Sequence, residues 1–80
     1  MDTEQKRNLL INYLNMYLSK RTLKMKPVMK EIKRRIEKDT LITRKQFNSI
    51  IKFLEREPKL LGLGSRTNIY QFFSPFIKKS

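Results

Sequence analysis

The sequence contains no cysteine, no histidine and no tryptophan, and it has only two glycines and three prolines among 80 residues. Without cysteine there is no disulfide framework and no thiolate zinc site, and without histidine the usual transition-metal ligands are absent too. The same absences remove histidine as a general base and cysteine as a nucleophile. We therefore expect a non-enzymatic protein without metal, cofactor or small-molecule substrate, whose fold rests on packing alone.

Acidic residues are also scarce: there are 7 against 19 lysines and arginines, which leaves a formal net charge of +12. The excess is equal in the two halves of the chain, so it is not a basic tail on a neutral domain. Like charges on one small molecule repel each other, and a polyanion relieves that repulsion while counterions are released. The composition predicts a nucleic acid or an anionic membrane as partner, although a basic protein without such a partner has the same charge.

Long apolar runs are missing as well. No segment approaches the roughly 20 residues that cross a bilayer, and residues 1–4 lack the basic start and apolar stretch of a signal peptide. We expect an intracellular protein, in the cytoplasm, nucleoid or nucleus, that does not act on membranes. The hydrophobic content of 39% is enough for one modest core, so residues 1–80 are predicted to form a single domain.

A first helix is predicted over residues 3–19, with Asp2 or Thr3 as N-cap. Four apolar residues recur at helical spacing and should face the core: Leu10, Tyr13, Leu14 and Tyr17. Four more widen the apolar surface to about 220°, against roughly 100° for a typical surface helix: Leu9, Ile11, Met16 and Leu18. We expect these four to form a homodimer interface, although a small domain can also leave some leucines exposed.

A second helix is predicted over residues 27–38, after a short extended rung at residues 22–24. Its narrow apolar stripe contains Val28, Met29, Ile32 and Ile36. Most of the remaining helix surface is basic, with little acidic balance. We therefore predict phosphate contacts at Lys30, Lys33 and Arg34, against the alternative of an ordinary solvated face.

A third helix is predicted over residues 43–56, because Thr43 and Gln46 have the spacing of a capping box. Its apolar stripe contains Phe47, Ile50, Ile51 and Leu54. The opposite arc, about 100° wide, holds only polar side chains: Lys45, Asn48, Ser49, Lys52 and Arg56. Lysine and arginine bind phosphate or guanine and asparagine pairs with the adenine edge, whereas an ordinary exposed face more often contains interleaved glutamates. This arc is the strongest candidate for a nucleic-acid-binding surface.

The spacing then changes from helical to extended, and we interpret residues 59–73 as a β-hairpin. Gly64 and Ser65 suit its turn, and the β-branched and aromatic residues within 69–72 favour strand over helix. The apolar tail at residues 76–77 either closes the core or packs on a partner, and both interpretations stay open.

This order of elements resembles the winged helix-turn-helix superfamily over nearly the whole chain, with the helix start at residues 43–46 as its best-defined feature. The expected fold class is therefore α+β, mainly α: three helices followed by a C-terminal β-hairpin wing. The resemblance implies that helix 3 enters the major groove of DNA and that the wing contacts the backbone. It assigns to DNA the helix 3 residues Arg44, Lys45, Asn48, Ser49, Lys52 and Arg56, and the wing residues Ser65, Arg66 and Thr67.

The expected function is duplex DNA binding by a homodimer that regulates transcription or replication in a sequence-specific way. A non-specific architectural DNA-binding protein has the same charge and is the first alternative. An RNA-binding or ribosome-associated module is the second. Such a module would expose Tyr70 and Phe72 for base stacking, whereas we expect at least one of them to be buried.

Overall fold

The computed structural model describes residues 1–20 and 22–79, which form α-helices and two 3₁₀ segments. The α-helices are α1 (Thr3–Leu18), α2 (Lys26–Glu37), α3 (Arg44–Leu54) and α4 (Arg66–Phe72), and the 3₁₀ segments are Pro58–Leu63 and Ser74–Phe76. The first three α-helices lie within two residues of the ranges expected from apolar spacing. Within the described residues, no helix is long and apolar enough to cross a bilayer.

Capping boxes start α1 and α3. At α3 the Thr43 hydroxyl accepts a hydrogen bond from the Gln46 amide at 3.0 Å, and the Gln46 side-chain oxygen accepts one from the Thr43 amide at 2.9 Å. Asp2 and Gln5 are paired in the same way at α1. These bonds satisfy amide groups that a first helical turn leaves unpaired, so they define where each helix begins. The predicted helix start at Thr43 is confirmed.

The core is one cluster of apolar and aromatic side chains to which every element contributes, and no charged side chain of the described residues is buried. The apolar stripes predicted for α1 and α3 are buried throughout, and Met29, Ile32 and Ile36 of α2 pack with them. Val28 is the exception, because its side chain is 40% exposed. Burial of these spaced residues holds α1, α2 and α3 together and leaves their polar faces outward.

The end of α2 is a Schellman motif, in which the chain turns through a left-handed residue. Asp39 has φ of 59°, and the Thr40 amide donates to the Arg35 carbonyl at 2.8 Å. The Asp39 amide donates to the Ile36 carbonyl at 3.2 Å, which completes the motif. The Asp39 carboxylate also accepts a hydrogen bond from the Arg7 guanidinium of α1 at 2.7 Å. This turn ends α2 and changes the direction of the chain before α3 begins.

The predicted β-hairpin at residues 59–73 is wrong, and with it the winged α+β fold class. Pro58–Leu63 is a 3₁₀ segment and Arg66–Phe72 is the helix α4, so the described residues contain no sheet. Ser65 is the N-cap of α4, with its hydroxyl accepting a hydrogen bond from the Asn68 amide at 3.2 Å. Gly64 has φ of 80° and ends the 3₁₀ segment, rather than forming a hairpin turn.

Burial explains why this segment is helical despite its β-propensity. In a strand, Gln71 would share one face with Ile69 and Phe73, because side chains alternate between faces. Ile69 and Phe73 are buried, however, and Gln71 is exposed. A helix allows this arrangement, since residues four apart share a face and the residue between them does not. Tertiary packing therefore overrides the preference of Ile69 and Tyr70 for strand.

The C-terminal tail, rather than residues 22–24, forms the one extended pairing among the described residues. Residues 22–24, predicted as an extended rung, lie in a turn region without strand pairing. Instead, Ile42 forms an isolated parallel bridge with Ile77: the Ile42 amide donates to the Phe76 carbonyl at 2.8 Å, and the Lys78 amide donates to the Ile42 carbonyl at 2.7 Å. Phe76 and Ile77 are buried. The tail therefore closes the core of its own chain.

The left-handed backbone at Asp39 generates a stability prediction. Asp39→Gly and Asp39→Val both remove the carboxylate that pairs with Arg7, but only valine is strained at positive φ. We expect the valine variant to be about 1–2 kcal/mol less stable than the glycine variant, measured by urea unfolding. Equal stability of the two variants would contradict the left-handed conformation at this position.

Candidate nucleic-acid interface

The solvent-facing side of α3 presents five of the six helix 3 residues that the winged-helix resemblance assigned to DNA. We call it the α3 basic face and define it by four exposed cations and one exposed amide: Arg44, Lys45, Asn48, Lys52 and Arg56. Arg56 lies in the turn just after the helix. Ser49, the sixth predicted residue, is half-buried, and its hydroxyl donates to the Lys45 carbonyl at 3.1 Å. Ser49 therefore contributes less to this face than its position on the helix suggests.

The cations of the α3 basic face form no salt bridge with a described carboxylate, although the charge of Arg56 helps to lower the pKa of Glu55. The salt bridges found among residues 1–20 and 22–79 include none of the four. The Lys52 ammonium lies 5.2 Å from the centroid of the Phe53 ring, and the Arg44 guanidinium lies 5.5 Å from that of Tyr70. Contact with aromatic rings orients a cation without neutralising its charge. These positive charges are therefore available to an anionic partner.

The two carboxylates that border this face are neutralised from within the protein. The Glu31 carboxylate accepts hydrogen bonds from Arg34 and Arg35, and that of Glu55 accepts two from Arg66, at 2.9 and 3.0 Å. The hydrogen bonds from Arg34 are the main cause that lowers the pKa of Glu31 to about 2. The hydrogen bonds from Arg66 likewise lower the pKa of Glu55. In the described part of the chain, no three acidic side chains are grouped so that they could hold a metal ion.

The predicted wing residues lie on a helix instead. Ser65 is the N-cap of α4, Arg66 is its first residue and Thr67 is exposed in its first turn. Because the Arg66 guanidinium is engaged by Glu55, eleven residues earlier, it is not a bare cation at the tip of a loop. The assignment of these three residues to a hairpin wing is therefore corrected.

None of the three predicted phosphate contacts of α2 lines the groove between α2 and the α3 basic face. A groove of about 420 Å³ runs between the helices, and α2 lines it with Pro27, Val28 and Glu31. Lys33 follows Glu31 by two residues, which turns it about 160° around the helix and away from this groove. Lys30 is exposed but does not line the groove, and Arg34 is paired with Glu31. The structure thus groups none of these three with the cations of α3.

The predicted dimer face of α1 is used largely within the domain. Leu9, Ile11 and Leu18 are half-buried against the core, and of the four only Met16 is exposed, at 43%. Leu9 and Met16 flank a shallow depression that also contains Tyr13, whose hydroxyl is buried without a hydrogen-bond partner. The wide apolar surface of α1 is thus mostly explained without a second copy, and the homodimer stays a prediction.

Two basic residues that sequence reasoning did not assign also belong to this region. The bridge to Ile42 places Lys78 and Lys79 beside Arg44, and both lysines are exposed. The sequence signal for this contact was a pair of lysines directly after a pair of apolar residues. The sequence alone could not place these lysines beside α3, because it does not show which element the tail contacts.

The Glu31 pair generates a pH prediction. The pKa of Glu31 in the folded protein is below its usual value of 4.5, so the ionised carboxylate contributes its full stabilisation above pH 4.5. This contribution is lost as the pH falls through about 2. In a carbon-detected NMR titration, Glu31 should have its midpoint near 2. Arg34→Met should move the midpoint upward, whereas Lys30→Met should leave it in place. A midpoint of about 4.5 in the native protein would exclude the pairing.

Comparisons with known proteins assign this chain to no family: no family model matches it, and no curated protein or solved structure matches it either.

Proposed function

We propose that this protein binds duplex DNA by placing the α3 basic face in the major groove. The observation that carries the proposal is the contrast within one surface: the four exposed cations of the α3 basic face form no salt bridge, while the neighbouring carboxylates are hydrogen-bonded to other arginines. A surface evolved only for solubility would more often pair such cations along the helix. Phosphate groups of DNA provide the missing negative charge.

The dimensions of α3 suit the groove. Its 11 residues make a helix about 16 Å long, at about 1.5 Å per residue. The major groove is about 12 Å wide and admits one helix, and each base pair there presents a distinct pattern of donors and acceptors. The capping box at Thr43 and the turn at Asp39 give α3 a defined orientation relative to α2. A rigid, outward-facing helix is what recognition of base edges requires.

The individual side chains support different parts of this contact. Asn48 carries both a donor and an acceptor, which match the adenine edge in the major groove. Lys45 and Lys52 can donate to guanine or to phosphate, and Arg44 and Arg56, at the two ends of the face, are placed to contact the backbone on either side. The function we propose is therefore sequence-specific, with Asn48 and Lys52 as the residues that distinguish bases.

The packing of the aromatic residues favours duplex over single-stranded RNA. The Tyr70 ring lies 4.9 Å from that of Phe47, with the Arg44 guanidinium over it, and the Phe72 ring packs edge-on against Phe73 at 4.8 Å. Both residues are half-buried. Base-stacking modules need rings that are open to solvent. The expectation that at least one of the two rings is buried is therefore wrong, but the described residues form no sheet on which the rings could be displayed together.

The first test of this function uses a duplex site selected from a random library. Asn48→Ala and Lys52→Ala should each reduce the preference for that site over random duplex by about 1–3 kcal/mol, because each removes a contact to a base edge. Lys30→Ala, an exposed lysine outside the α3 basic face, is the matched control and should leave the preference unchanged. Equal losses on both duplexes would reassign the two residues to phosphate, and no loss would remove α3 from the interface.

A second test increases the charge of the surface instead of reducing it. Glu55→Gln releases Arg66 from its ion pair and should raise duplex affinity about fivefold at low salt, since one more cation can then contact phosphate. Glu37→Gln changes the net charge equally but lies on the exposed side of α2, away from the groove, and should have a much smaller effect. Fluorescence anisotropy at several salt concentrations gives both values. Equal increases would mean that binding depends on net charge alone.

A further inference from the structure

The C-terminal tail and the start of α3 enclose a small basic cleft. The hydrogen bonds between Ile42 and the tail hold Lys78 one residue beyond the buried Ile77. Ile77 has extended backbone angles, and side chains alternate along an extended chain, so Lys78 is directed away from the core. Ile42 is also two residues before Arg44. One backbone contact therefore brings the tail lysines next to the first residue of α3.

The lining of this cleft is suited to an anion. It contains the cations Arg44, Lys78 and Lys79 together with Tyr70, Gln71, Ser74 and Ile77, and none of the described residues that line it is acidic. Its volume is about 150 Å³, several times the roughly 30 Å³ that one water occupies in the liquid. Cations gathered in one cleft repel each other unless an anion lies between them. No salt bridge in the described part of the chain relieves this repulsion.

We propose that this cleft binds one backbone phosphate of the DNA that α3 contacts. This inference rests on the proposed function, and it names the contact that holds α3 in place along the groove. Phosphate fits the donors present: the guanidinium of Arg44 can bind two oxygens at once, and the two lysines add point charges. The hydroxyl of Ser74 and the amide of Gln71 add neutral donors.

The position of Arg44 links the cleft to the α3 basic face. Its guanidinium lies over the Tyr70 ring at 5.5 Å, which limits its motion and holds it at the rim of the cleft. Arg44 is also the first residue of α3, where the helix dipole adds partial positive charge. A phosphate in the cleft would lie beside the N-terminal end of α3. The tail would thus supply the contact to the DNA backbone that a hairpin wing was expected to make.

The test is a double substitution at the tail, Lys78→Ala with Lys79→Ala. It should weaken binding about tenfold on selected and random duplex alike and should reduce the slope of log affinity against log salt by about one unit. Lys20→Ala with Lys24→Ala is the matched control. Both lysines are exposed and follow the C-terminal end of α1, whereas the residues of α1 that contact Phe72 and Phe76 lie near its N-terminal end. An unchanged slope in the tail variant would overturn the contact, provided that the wild type binds duplex.

A second measurement separates failure of the cleft from failure of the proposed function. In an NMR titration with inorganic phosphate, the amides of Ser74 and of residue 78 should shift in the wild type, and the same two amides should not shift in the tail variant. If the wild type binds no duplex, the proposed function fails and so does the assignment of the anion to DNA, whatever phosphate does. If duplex binds but phosphate shifts neither amide and the salt slope is unchanged, only the cleft is overturned. Thermal melts of all variants, expected within a few degrees of the wild type, check folding.

Discussion

The backbone of Ile42 is the contact on which the rest of this molecule depends. Ile42 is completely buried, and both its amide and its carbonyl are paired with the C-terminal tail. Left without partners, each buried group would cost about 1–3 kcal/mol. The residue lies between the turn that ends α2 and the capping box that starts α3, so one bridge joins the helix pair to the end of the chain. Because of this bridge, Phe76 and Ile77 pack into the core, and the next two residues, both lysines, lie beside the start of α3.

Charge distribution follows from this scaffold. With 19 basic and 7 acidic residues, the protein has few carboxylates to place, and the arrangement of these few decides where positive charge remains unpaired. Glu31 and Glu55 each neutralise arginines at the margins of α3, and Asp39 pairs with Arg7. The cations left outside these ion pairs include those of the α3 basic face and the tail lysines, and also exposed lysines elsewhere, such as Lys30 and Lys38. In the function proposed above, the net charge would favour association with DNA, and the polar side chains of α3 rather than charge alone would distinguish this face from the others.

The candidate site was partly predictable, for reasons that differ by residue. Lys45, Asn48 and Lys52 follow from helical spacing once Thr43 is recognised as a cap, because a capped amphipathic helix has only one polar side. Arg66 could not be placed, since its partner Glu55 is eleven residues away and neighbours it only through the 3₁₀ segment between them. Lys78 and Lys79 were missed because a tail has no periodicity of its own. The breadth of the apolar face of α1 suggested a partner protein, yet most of that face is covered by the chain itself.

The sequence by itself determined α1, α2 and α3, because each is long enough to show a 3.6-residue apolar period and two of them begin with residues that cap their own amides. Only tertiary structure decided the remainder. Seven residues are too few to form a stable helix alone, so α4 exists because Ile69 and Phe73 are buried against the core, against the β-propensity of the segment. The tail likewise acquires its structure from Ile42, and a contact across so many residues leaves no local pattern in the sequence.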